Sequence, residues 1–553
     1  MKYLIYLILI LLLPFSSPAQ TSKYFIEFTD KNNSPYSVTN PSAFLSQRAI
    51  TRRIMQGIAI EDIDLPVNPA YVDSVISKGA NVFTRSKWFN GITIEADMPT
   101  LQAVLTLPFV QQSTQINNRP ASSGVGQDSK RNKFYLPLDS HINDMPRTQT
   151  FNYGSSYTQI HIMNGDYLHD AGFHGEDKVI ALLDAGFYHA NVLPAFDSLN
   201  ANNQILGTWD FVANEASVYE DYWHGMSVLS TIGGNLPGEL VGTAPKASFW
   251  LLRTEEFATE YLIEEYNWDA GAEFADSAGA DIISSSLGYN TFNDPTQNHT
   301  YADMNGHTTP SARAANMAFS KGMLVIVSAG NDGGSSWQYI SSPADADSAM
   351  AVGAVNGSGI YASFSSTGPS SDGDIKPNVA AVGQGTIISY SNGATGPGSG
   401  TSFSCPVLAG SAACLWQAYP TFTNKAIFNA IQQSASQHLN PDSLLGYGIP
   451  DFMMADRLLG GIDHILAAGY DPVSVYPNPF VHDVKLKFYS EKRQTVTIRI
   501  FDVPGKKLME RNVDAVEKTF NSIPLSLDQL QKGIYFMEVS VNGTKIIRKI
   551  IKA

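Results

Sequence analysis

The sequence has only two cysteines, Cys405 and Cys414, among its 553 residues. They lie in a segment of helical composition, nine positions apart, which places their Cα atoms about 13 Å apart at a rise of about 1.5 Å per residue. A disulfide requires less than about 7 Å between these atoms. We therefore expect two small buried thiols and a fold that its core stabilises without a disulfide framework.

The sequence also lacks a surplus of basic residues, since 36 Lys and Arg stand against 51 Asp and Glu, for a net charge of −15. Binding to a phosphate backbone depends on such a surplus, so we expect no nucleic-acid partner. No run of about 18 apolar residues follows the N-terminal region, and we expect no membrane span in the mature form. Gly and Pro are near ordinary usage and no internal repeat is visible, which excludes collagen-like and low-complexity arrays.

The first 19 residues have the pattern of a secretory signal peptide. Lys2 provides the positive start, residues 4–13 are almost entirely apolar, and Ser17-Pro18-Ala19 supplies small residues before a cleavage point. An apolar run of about ten residues is too short to cross a bilayer, which argues against the alternative of a membrane anchor. The sequence therefore predicts a protein that is exported through the periplasm and is secreted or held at the cell surface.

Three regions before residue 460 differ in pattern. Residues 20–116 contain short extended and helical runs and predict a small α+β domain. Residues 117–150 are polar and aperiodic, which predicts a linker and a natural cleavage zone. Residues 151–460 alternate apolar strands with helical segments, which predicts a three-layer α/β/α domain with a mainly parallel sheet. Its predicted strands are residues 179–183, 248–252, 282–283, 323–327 and 349–355, and its predicted helices are residues 255–278 and 311–321.

Residues 470–553 have a different, two-residue period. Val496, Ile498 and Ile500 alternate with polar residues, as expected for strands with one face in a core. Asn542-Gly543 lies between two extended runs and predicts a two-residue hairpin turn. The region is predicted to be a C-terminal β-sandwich.

Two polar residues of the central region lie where a predicted strand ends or a predicted helix begins. Asp184 comes directly after the apolar run 179–183, and in a parallel sheet reactive groups collect at the carboxyl ends of strands. His224 precedes Gly225 and a helical run of small residues. A buried carboxylate can bind an imidazole N–H and select its tautomer. Taken alone, Asp184 could equally cap a helix, and His224 could be structural or solvated.

The strongest signal is the segment from Gly400 to Pro406, which contains Ser402. A Gly-rich stretch leads into it and a helix rich in small residues follows, so Ser402 should lie at a helix N-terminus, where backbone N–H groups stabilise negative charge. A serine hydroxyl needs a neighbouring base to act as a nucleophile. The alternative of an ordinary helix cap explains the serine but not the glycines or the small residues.

Two further strand ends carry candidate binding groups. Asn331 follows the apolar run 323–327, and its amide could donate to an oxyanion, although Asn is also common in turns. Ser285, Ser286, Leu287 and Gly288 end another strand. Their backbone could pair with an extended peptide by strand addition, and the alternative is a strand that simply ends in a turn.

Together, the order Asp184, His224, Asn331, Ser402 resembles the subtilisin-like serine proteases, the subtilases, in which the acid, the imidazole and the serine follow one another in this order. The resemblance extends over residues 153–459 or so. It includes five further motifs: Gly242-Thr243-Ala244-Pro245, Ser342-Pro343-Ala344, Val352-Gly353-Ala354-Val355, Phe364-Ser365-Ser366-Thr367-Gly368-Pro369 and Gly446-Tyr447-Gly448.

This resemblance implies a serine endopeptidase that hydrolyses protein and peptide substrates through an acyl-enzyme. Ser402 would be the nucleophile, His224 the general base and acid, and Asp184 the group that orients His224, with Asn331 and the Ser402 N–H at the oxyanion. No organic cofactor is implied. Family members often bind structural calcium, but no contiguous loop of EF-hand type identifies its ligands, so we assign none.

The terminal regions have resemblances of their own. Asn90-Gly91-Ile92 and Leu107-Pro108-Phe109-Val110 are similar to a subtilase propeptide, which would template folding and occupy the cleft until it is cut away within residues 117–150. Three C-terminal motifs and a basic final strand resemble the type A sorting domain of the type IX secretion system, whose machinery would then be a partner. These motifs are Tyr476-Pro477-Asn478-Pro479, Gly505-Lys506 and Gly533-Ile534-Tyr535.

Three alternatives remain open. A catalytically inactive surface adhesin could retain the same fold, because fold alone does not assign function. The C-terminal β-sandwich could bind a substrate or a surface instead of directing secretion. A lipase or esterase would need a Gly-x-Ser-x-Gly elbow, and the motif around Ser402 lacks its second glycine.

Overall fold

The computed structural model describes residues 21–117, 150–460, 473–490, 492–516 and 519–553. The signal peptide predicted for residues 1–19, and almost all of the linker predicted for residues 117–150, lie outside the described residues.

The N-terminal domain is a four-stranded antiparallel sheet with helices. Its strand order is β2-β3-β1-β4. The helices begin at side-chain caps, since Ser46, Asn68 and Asp97 each accept a backbone N–H of the first turn. The strands are β1 (Ser22–Phe28), β2 (Asn81–Ser86), β3 (Gly91–Ala96) and β4 (Val110–Asn117), and the helices are α1 (Gln47–Gln56), α2 (Pro69–Ser77) and α3 (Met98–Leu105).

The central domain is built on an eight-stranded sheet with the order β14-β13-β12-β11-β10-β5-β9-β6. All neighbouring strands in it are parallel except β13 and β14 at one edge. The strands are β5 (Val179–Asp184), β6 (Ile205–Asp210), β9 (Ser248–Arg253), β10 (Ile282–Ser285), β11 (Leu324–Ser328), β12 (Ala349–Asn356), β13 (Val379–Ser389) and β14 (Thr395–Ser399); a small separate pair comprises β7 (Asn235–Leu236) and β8 (Leu240–Val241).

Helices cover both faces of this sheet. They are α4 (Tyr157–His161), α5 (Gly165–Asp170), α6 (Asp197–Ala201), α7 (His224–Gly233), α8 (Ile263–Ala278), α9 (Pro310–Ser320), α10 (Thr401–Ala418), α11 (Asn424–Ser434) and α12 (Phe452–Leu459). Short 3-10 turns occur at Pro41–Ala43, Asp62–Asp64, Gly154–Ser156, Pro194–Phe196, Pro295–Gln297 and Tyr301–Asp303. Among the described residues, no helix combines the length and the apolar character needed to span a bilayer.

The burial of strand β5 shows that the sheet is covered on both sides. All six of its residues are buried. Ile180 and Leu182 point into the core under α7 and α10, whereas Ala181 and Leu183 point into the core under α8 and α9. A continuous apolar run is what a parallel strand between two helical layers requires.

The C-terminal region consists of two antiparallel sheets with the orders β15-β16-β19 and β18-β17-β20-β21. They share one apolar core, as expected for a β-sandwich. The Asn542-Gly543 turn joins the last two strands with positive φ at both residues, as the sequence predicts. The strands are β15 (Val473–Tyr476), β16 (Asp483–Ser490), β17 (Gln494–Phe501), β18 (Lys507–Ala515), β19 (Thr519–Ser526), β20 (Gly533–Val541) and β21 (Thr544–Lys552).

Candidate active site

The candidate site lies where the strand order of the central sheet changes direction. The chain goes from β5 to β6 and then to β9 on one side, and then crosses over to add β10 and β11 on the other. Such a switch point leaves a crevice at the carboxyl ends of the strands. Asp184 ends β5 and Ser285 ends β10, while Asn331 follows β11 by three residues.

Asp184 and His224 form a buried pair at this crevice. The Nδ1 atom of His224 lies 2.7 Å from Oδ1 of Asp184, and both side chains are at most 1% exposed. A carboxylate can only accept, so Nδ1 carries the proton and Nε2 of the neutral ring presents a lone pair. Asp184 Oδ1 also accepts the backbone N–H of Ala185 at 2.7 Å. The carboxylate is therefore held from two directions.

Two glycines allow this pair to form. A Cβ at Gly225 would lie 2.5 Å from the carbonyl oxygen of Gly186 and 2.8 Å from Cβ of Asp184. Gly186 itself has φ +142°, and a Cβ there would lie 2.5 Å from the backbone nitrogen of Tyr222. The start of α7 can approach the end of β5 this closely because neither residue has a side chain.

Ser402 lies in the first turn of α10, whose preceding residue Gly400 has φ +151°. First-turn amides have no acceptor within their own helix, so the N–H of Ser402 is of the kind that stabilises an anion. The Ser402 hydroxyl donates a long hydrogen bond of 3.4 Å to the carbonyl of Ser286, whose own hydroxyl donates to the carbonyl of Ser402 at 2.8 Å. The ring centroids of His224 and Phe403 are 6.1 Å apart, so the imidazole borders the turn that carries Ser402.

Asn331 is attached to the same turn through Thr401. Its Oδ1 accepts the backbone N–H of Thr401 at 2.9 Å and the Thr401 hydroxyl at 3.0 Å. A backbone N–H must bond to the oxygen of an amide, which turns the Nδ2 group to the opposite side. Thr401 Oγ1 also accepts the N–H of Gly330 at 3.2 Å. Sequence reasoning assigned no role to Thr401, although it stands directly beside Ser402.

The predicted substrate-binding segment is mostly internal. Ser285, Ser286 and Leu287 are buried, and Ser285 accepts the indole N–H of Trp268 at 2.8 Å. Gly288 is exposed. The side chains of the first three residues therefore belong to the support of the site, and a role in pairing with substrate stays a prediction for the backbone near Gly288.

Cys405 and Cys414 lie in α10 and are both free and buried, as the sequence predicts. Burial raises the pKa of the Cys405 thiol to about 12. The thiol is therefore protonated at neutral pH and is not a second nucleophile beside Ser402.

The N-terminal domain docks on α8 of the central domain through buried charges. Arg52, Arg53 and Lys87 all reach the carboxylate of Asp276, at 2.5, 2.8 and 2.7 Å. Although burial opposes its ionisation, these three cations lower the pKa of Asp276 to about 2. Trp88 completes the contact by inserting into the core beneath α8.

A second carboxylate on α8 binds the backbone of the N-terminal domain. Glu273 accepts the N–H groups of Lys87 and Trp88 at 2.8 Å each and the hydroxyl of Ser86 at 2.9 Å. Burial raises the pKa of Glu273. Burial and the charge of Glu273 raise the pKa of Asp269 well above its ordinary value. The sequence offers no local signal for this docking role, because it depends on two segments about 190 residues apart.

Two groups of side chains among the described residues have the proximity needed to hold a cation. His307, Asp347 and Asp372 are exposed, whereas Glu255 and Glu264 are buried and Glu260 is half-buried. In each group the potential ligand atoms lie within 4.8 Å of one another. Neither group was identified from the sequence: the first comes from three distant segments, and the second lies in a stretch whose composition predicts a helix.

Comparison with known proteins matches all three regions of the chain. The model of the subtilase family, peptidase S8, matches residues 175–448. Models of the peptidase S8 propeptide domain of Bacteroidota and of a secretion system C-terminal sorting domain match residues 23–133 and 474–553. The subtilisin of Bacillus pumilus is 30% identical over 286 residues, which cover 51% of this chain and 92% of that protein. The chain belongs to the subtilase family of serine peptidases.

One further curated relative and one solved structure are similar to this subtilase over part of their length. Subtilisin E of Bacillus subtilis is 31% identical over 273 residues, which cover 49% of this chain and 63% of that protein, a little under two thirds of it. The crystal structure of MycP1 from Mycobacterium smegmatis covers 59% of this chain and 89% of its own, with 21% identity and a TM-score of 0.43.

The predicted fold class and resemblances are thus confirmed: a subtilase domain with a mainly parallel sheet, an N-terminal propeptide domain and a C-terminal sorting domain. The sorting domain implies export to the outside or to the cell surface. The exact domain limits and the roles of the site residues stay predictions.

Proposed function

We propose that this subtilase is a secreted serine endopeptidase that cleaves peptide bonds of proteins through an acyl-enzyme. The observation that carries the proposal is the buried 2.7 Å hydrogen bond between His224 and Asp184, beside the first turn of the helix that bears Ser402. A neutral imidazole with its proton directed at a carboxylate has the tautomer that a general base needs.

In the proposed reaction, the Ser402 hydroxyl attacks the scissile carbonyl while Nε2 of His224 takes its proton. The imidazolium that forms is stabilised by Asp184 and then gives the proton to the leaving amine. Water repeats these steps on the acyl-enzyme to release the second product. Apart from water and the substrate, each group that the proposed mechanism uses is a side chain or backbone amide of this chain.

The oxyanion of the tetrahedral intermediate is proposed to bind the Ser402 N–H and the Nδ2 group of Asn331. The hydrogen bonds from Thr401 to Oδ1 support this assignment, because they orient the amide before substrate arrives. Substrate backbone is proposed to pair near Gly288, the exposed end of the β10 segment.

The terminal regions complete the proposal. The N-terminal domain is the chain's own propeptide and a partner of the catalytic domain until cleavage within residues 117–150. The signal peptide leads the chain into the periplasm, and the sorting domain presents it to the type IX secretion machinery. Determination of the mature N-terminus tests the first point, and a start near Gln20 in active enzyme contradicts it.

A fluorophosphonate probe, which reacts with activated serines, tests the catalytic assignment. Processed wild-type protein should be labelled, and Ser402→Ala should abolish labelling and lower kcat by about 10⁶-fold, the loss established for the nucleophile of a subtilisin. Ser404→Ala is the matched control, since among the residues that the structure describes its hydroxyl donates only to the carbonyl of Thr401 in the same helix. An unlabelled, correctly processed wild type supports the inactive adhesin instead.

A further inference from the structure

A buried cation that the mechanism above does not use lies beside the proposed catalytic pair. Arg253 is the last residue of β9 and is 7% exposed. In the parallel register of β5 and β9 its partner is Asp184, and neighbouring strands lie about 4.8 Å apart. An arginine remains charged when it is buried, so hydrogen bonds and ion pairs must stabilise it.

The end of β6 fixes the guanidinium of Arg253 in place. Its Nη1 atom donates to Oδ2 of Asp210 at 2.7 Å. Asp210 is fully buried, and its Oδ1 accepts the backbone N–H groups of Val212 at 2.7 Å and Ala213 at 2.9 Å. The carbonyl of Arg253 also accepts the N–H of Phe211 at 2.9 Å. Both the backbone and the head group of Arg253 are therefore held by the end of a neighbouring strand.

The guanidinium also binds the turn that follows β5. Nε of Arg253 donates to the carbonyl of Ala185 at 3.2 Å, and the N–H of the next residue, Thr254, donates to the carbonyl of Asp184 at 3.0 Å. Two consecutive residues of one segment thus hold two consecutive carbonyls of another. The direction of the Asp184 side chain depends on this stretch of backbone, because Asp184 lies within it.

The same guanidinium reaches the segment that leads to His224. Its Nη1 atom lies 3.2 Å from Oδ1 of Asp221, which is three residues before His224. That segment packs directly on the turn after β5: a Cβ at Gly186 would lie 2.5 Å from Cβ of Asp221, and the N–H of Tyr188 donates to the carbonyl of Tyr222 at 3.3 Å. One buried side chain therefore contacts both pieces of backbone from which the catalytic pair is built.

We propose that Arg253 is a positioning residue, which keeps Asp184 and His224 at hydrogen-bonding distance by joining the segments that carry them. This inference rests on the proposed function, since it concerns the efficiency of the same proton transfer. A guanidinium suits the task because its planar set of donors can serve several acceptors at once, whereas a lysine ammonium is a point charge on a flexible chain. Displacement of a reacting group by about 1 Å can lower a rate about 10²-fold.

The test measures kcat and KM of the processed enzyme on a peptide substrate, with kcat divided by the number of active sites that a fluorophosphonate titrates. Arg253→Met should lower kcat per site by about 10- to 100-fold and leave KM within about threefold, because the buried guanidinium acts on the reaction through Asp184 and His224. Arg253→Lys should show a smaller loss of kcat, since it keeps the charge but not the fork. A residue that only supports the fold would lower the thermal midpoint and the number of titrated sites, with kcat per site unchanged.

Asp221→Asn tests the contact with the His224 segment and is informative even if Arg253→Met does not fold. Alone, it should lower kcat per site by about tenfold. Added to Arg253→Met, it should cause little further loss, because the two side chains act through one contact and their effects are not additive. Glu256→Gln is the matched control: Glu256 also binds the guanidinium, at 3.3 Å, but lies in the loop after β9. Its kcat should stay within about twofold of the parent's.

Three results overturn the proposal while the wild type is labelled and active. One is an unchanged kcat per site in Arg253→Met. Another is a double variant in which the losses of Arg253→Met and Asp221→Asn multiply in full. A third is a loss in Glu256→Gln as large as that in Asp221→Asn, which would assign the effect to the charge balance around the guanidinium. A wild type that the probe does not label overturns the proposed function, and this inference with it.

Discussion

Helix α10, which carries Ser402, and helix α8, which receives the N-terminal domain, form their contacts by different means. α10 contacts its surroundings through small neutral residues; a Cβ at Gly410, for example, would lie 2.1 Å from Oγ1 of Thr243. α8 instead contacts the N-terminal domain through Asp276 and Glu273, which bind buried cations and backbone N–H groups.

The difference matches what is proposed for the two contacts: those of α10 last as long as the enzyme, and that of α8 with the propeptide ends at cleavage. Close packing of small residues has no titratable component, so it holds the active site at any pH at which the domain is folded. Buried charges are strong only while each has its partner, and removal of one partner leaves the others uncompensated. A contact of buried charges therefore suits a propeptide that must first bind the catalytic domain and later dissociate from it.

The largest expected effect is that of Asp276→Asn in the full chain with Ser402→Ala. Because Arg52, Arg53 and Lys87 would lose their shared negative charge inside the interface, the contact should weaken by about 3–5 kcal/mol. Hydrogen exchange of the α1 amides measures this change as a lower opening free energy.

Glu61→Gln is the control for this prediction. Glu61 is 65% exposed and lies 3.7 Å from Lys321 Nζ, which also contacts the buried Asp64. Loss of such an exposed pair should change the opening free energy by less than about 1 kcal/mol. Equal effects of the two substitutions would contradict the view that burial gives the docking charges their strength.

A smaller effect is expected at a second close-packed contact of this kind, between the start of α7 and the end of β5. Gly225→Ala places a methyl group 2.5 Å from the carbonyl oxygen of Gly186 and 2.8 Å from Cβ of Asp184. His224 should therefore move relative to Asp184, and kcat/KM on a peptide substrate should fall about 10²-fold. Gly334→Ala is the control, because Gly334 is exposed and a Cβ there would come no closer than 4.0 Å to a neighbouring atom. Unchanged kcat/KM in Gly225→Ala would refute the packing argument.

The smallest effect concerns pH and separates the two kinds of contact most clearly. The raised pKa of Asp269 gives stability that is present below its unfolded pKa of about 3.8 and is lost as pH rises through the folded pKa. The pKa of Asp276, lowered to about 2, gives stability that is present above about 3.8 and is lost as pH falls toward 2. The docking contact should thus weaken on both sides of mildly acidic pH.

Asp269→Asn tests the alkaline side of this profile. In the parent, protection of the α1 amides should decline as the pH rises through the raised pKa of Asp269. The variant should lose part of that decline, since the neutral amide has no charge to bury. The protection at the low-pH end should still fall as in the parent, because Asp276 is unchanged. A variant profile parallel to the parent's on the alkaline side would show that Asp269 does not titrate in this contact.

The parallel sheet was largely predictable because its strands are buried on both faces. Residues 179–183 read as an uninterrupted apolar run, and the strand ends one residue later, at Asp184. The start of α7 at His224 and of α10 next to Ser402 also follow local signals, namely a glycine close to each residue and small residues after it.

Other features depend on contacts that no local pattern encodes. Residues 255–278 have helical composition, but α8 begins only at Ile263, because the preceding loop turns its glutamates inward and exchanges hydrogen bonds with Asn293. The propeptide-like motif at residues 107–110 forms a turn, and β4 begins only at its last residue, Val110. The docking role of Asp276 arises only when residues from three distant segments meet.

The position of Thr401 between two functional groups has a mechanical consequence. It is covalently bonded to Ser402 and hydrogen-bonded to Asn331, so the proposed nucleophile and oxyanion donor travel as one unit when α10 shifts. His224 belongs to another helix, α7. Distortion of the enzyme by heat, substitution or crowding should therefore disturb proton transfer by His224 before it disturbs anion stabilisation by Asn331 and the Ser402 N–H. The distorted enzyme should still bind transition-state mimics after it has lost its activity.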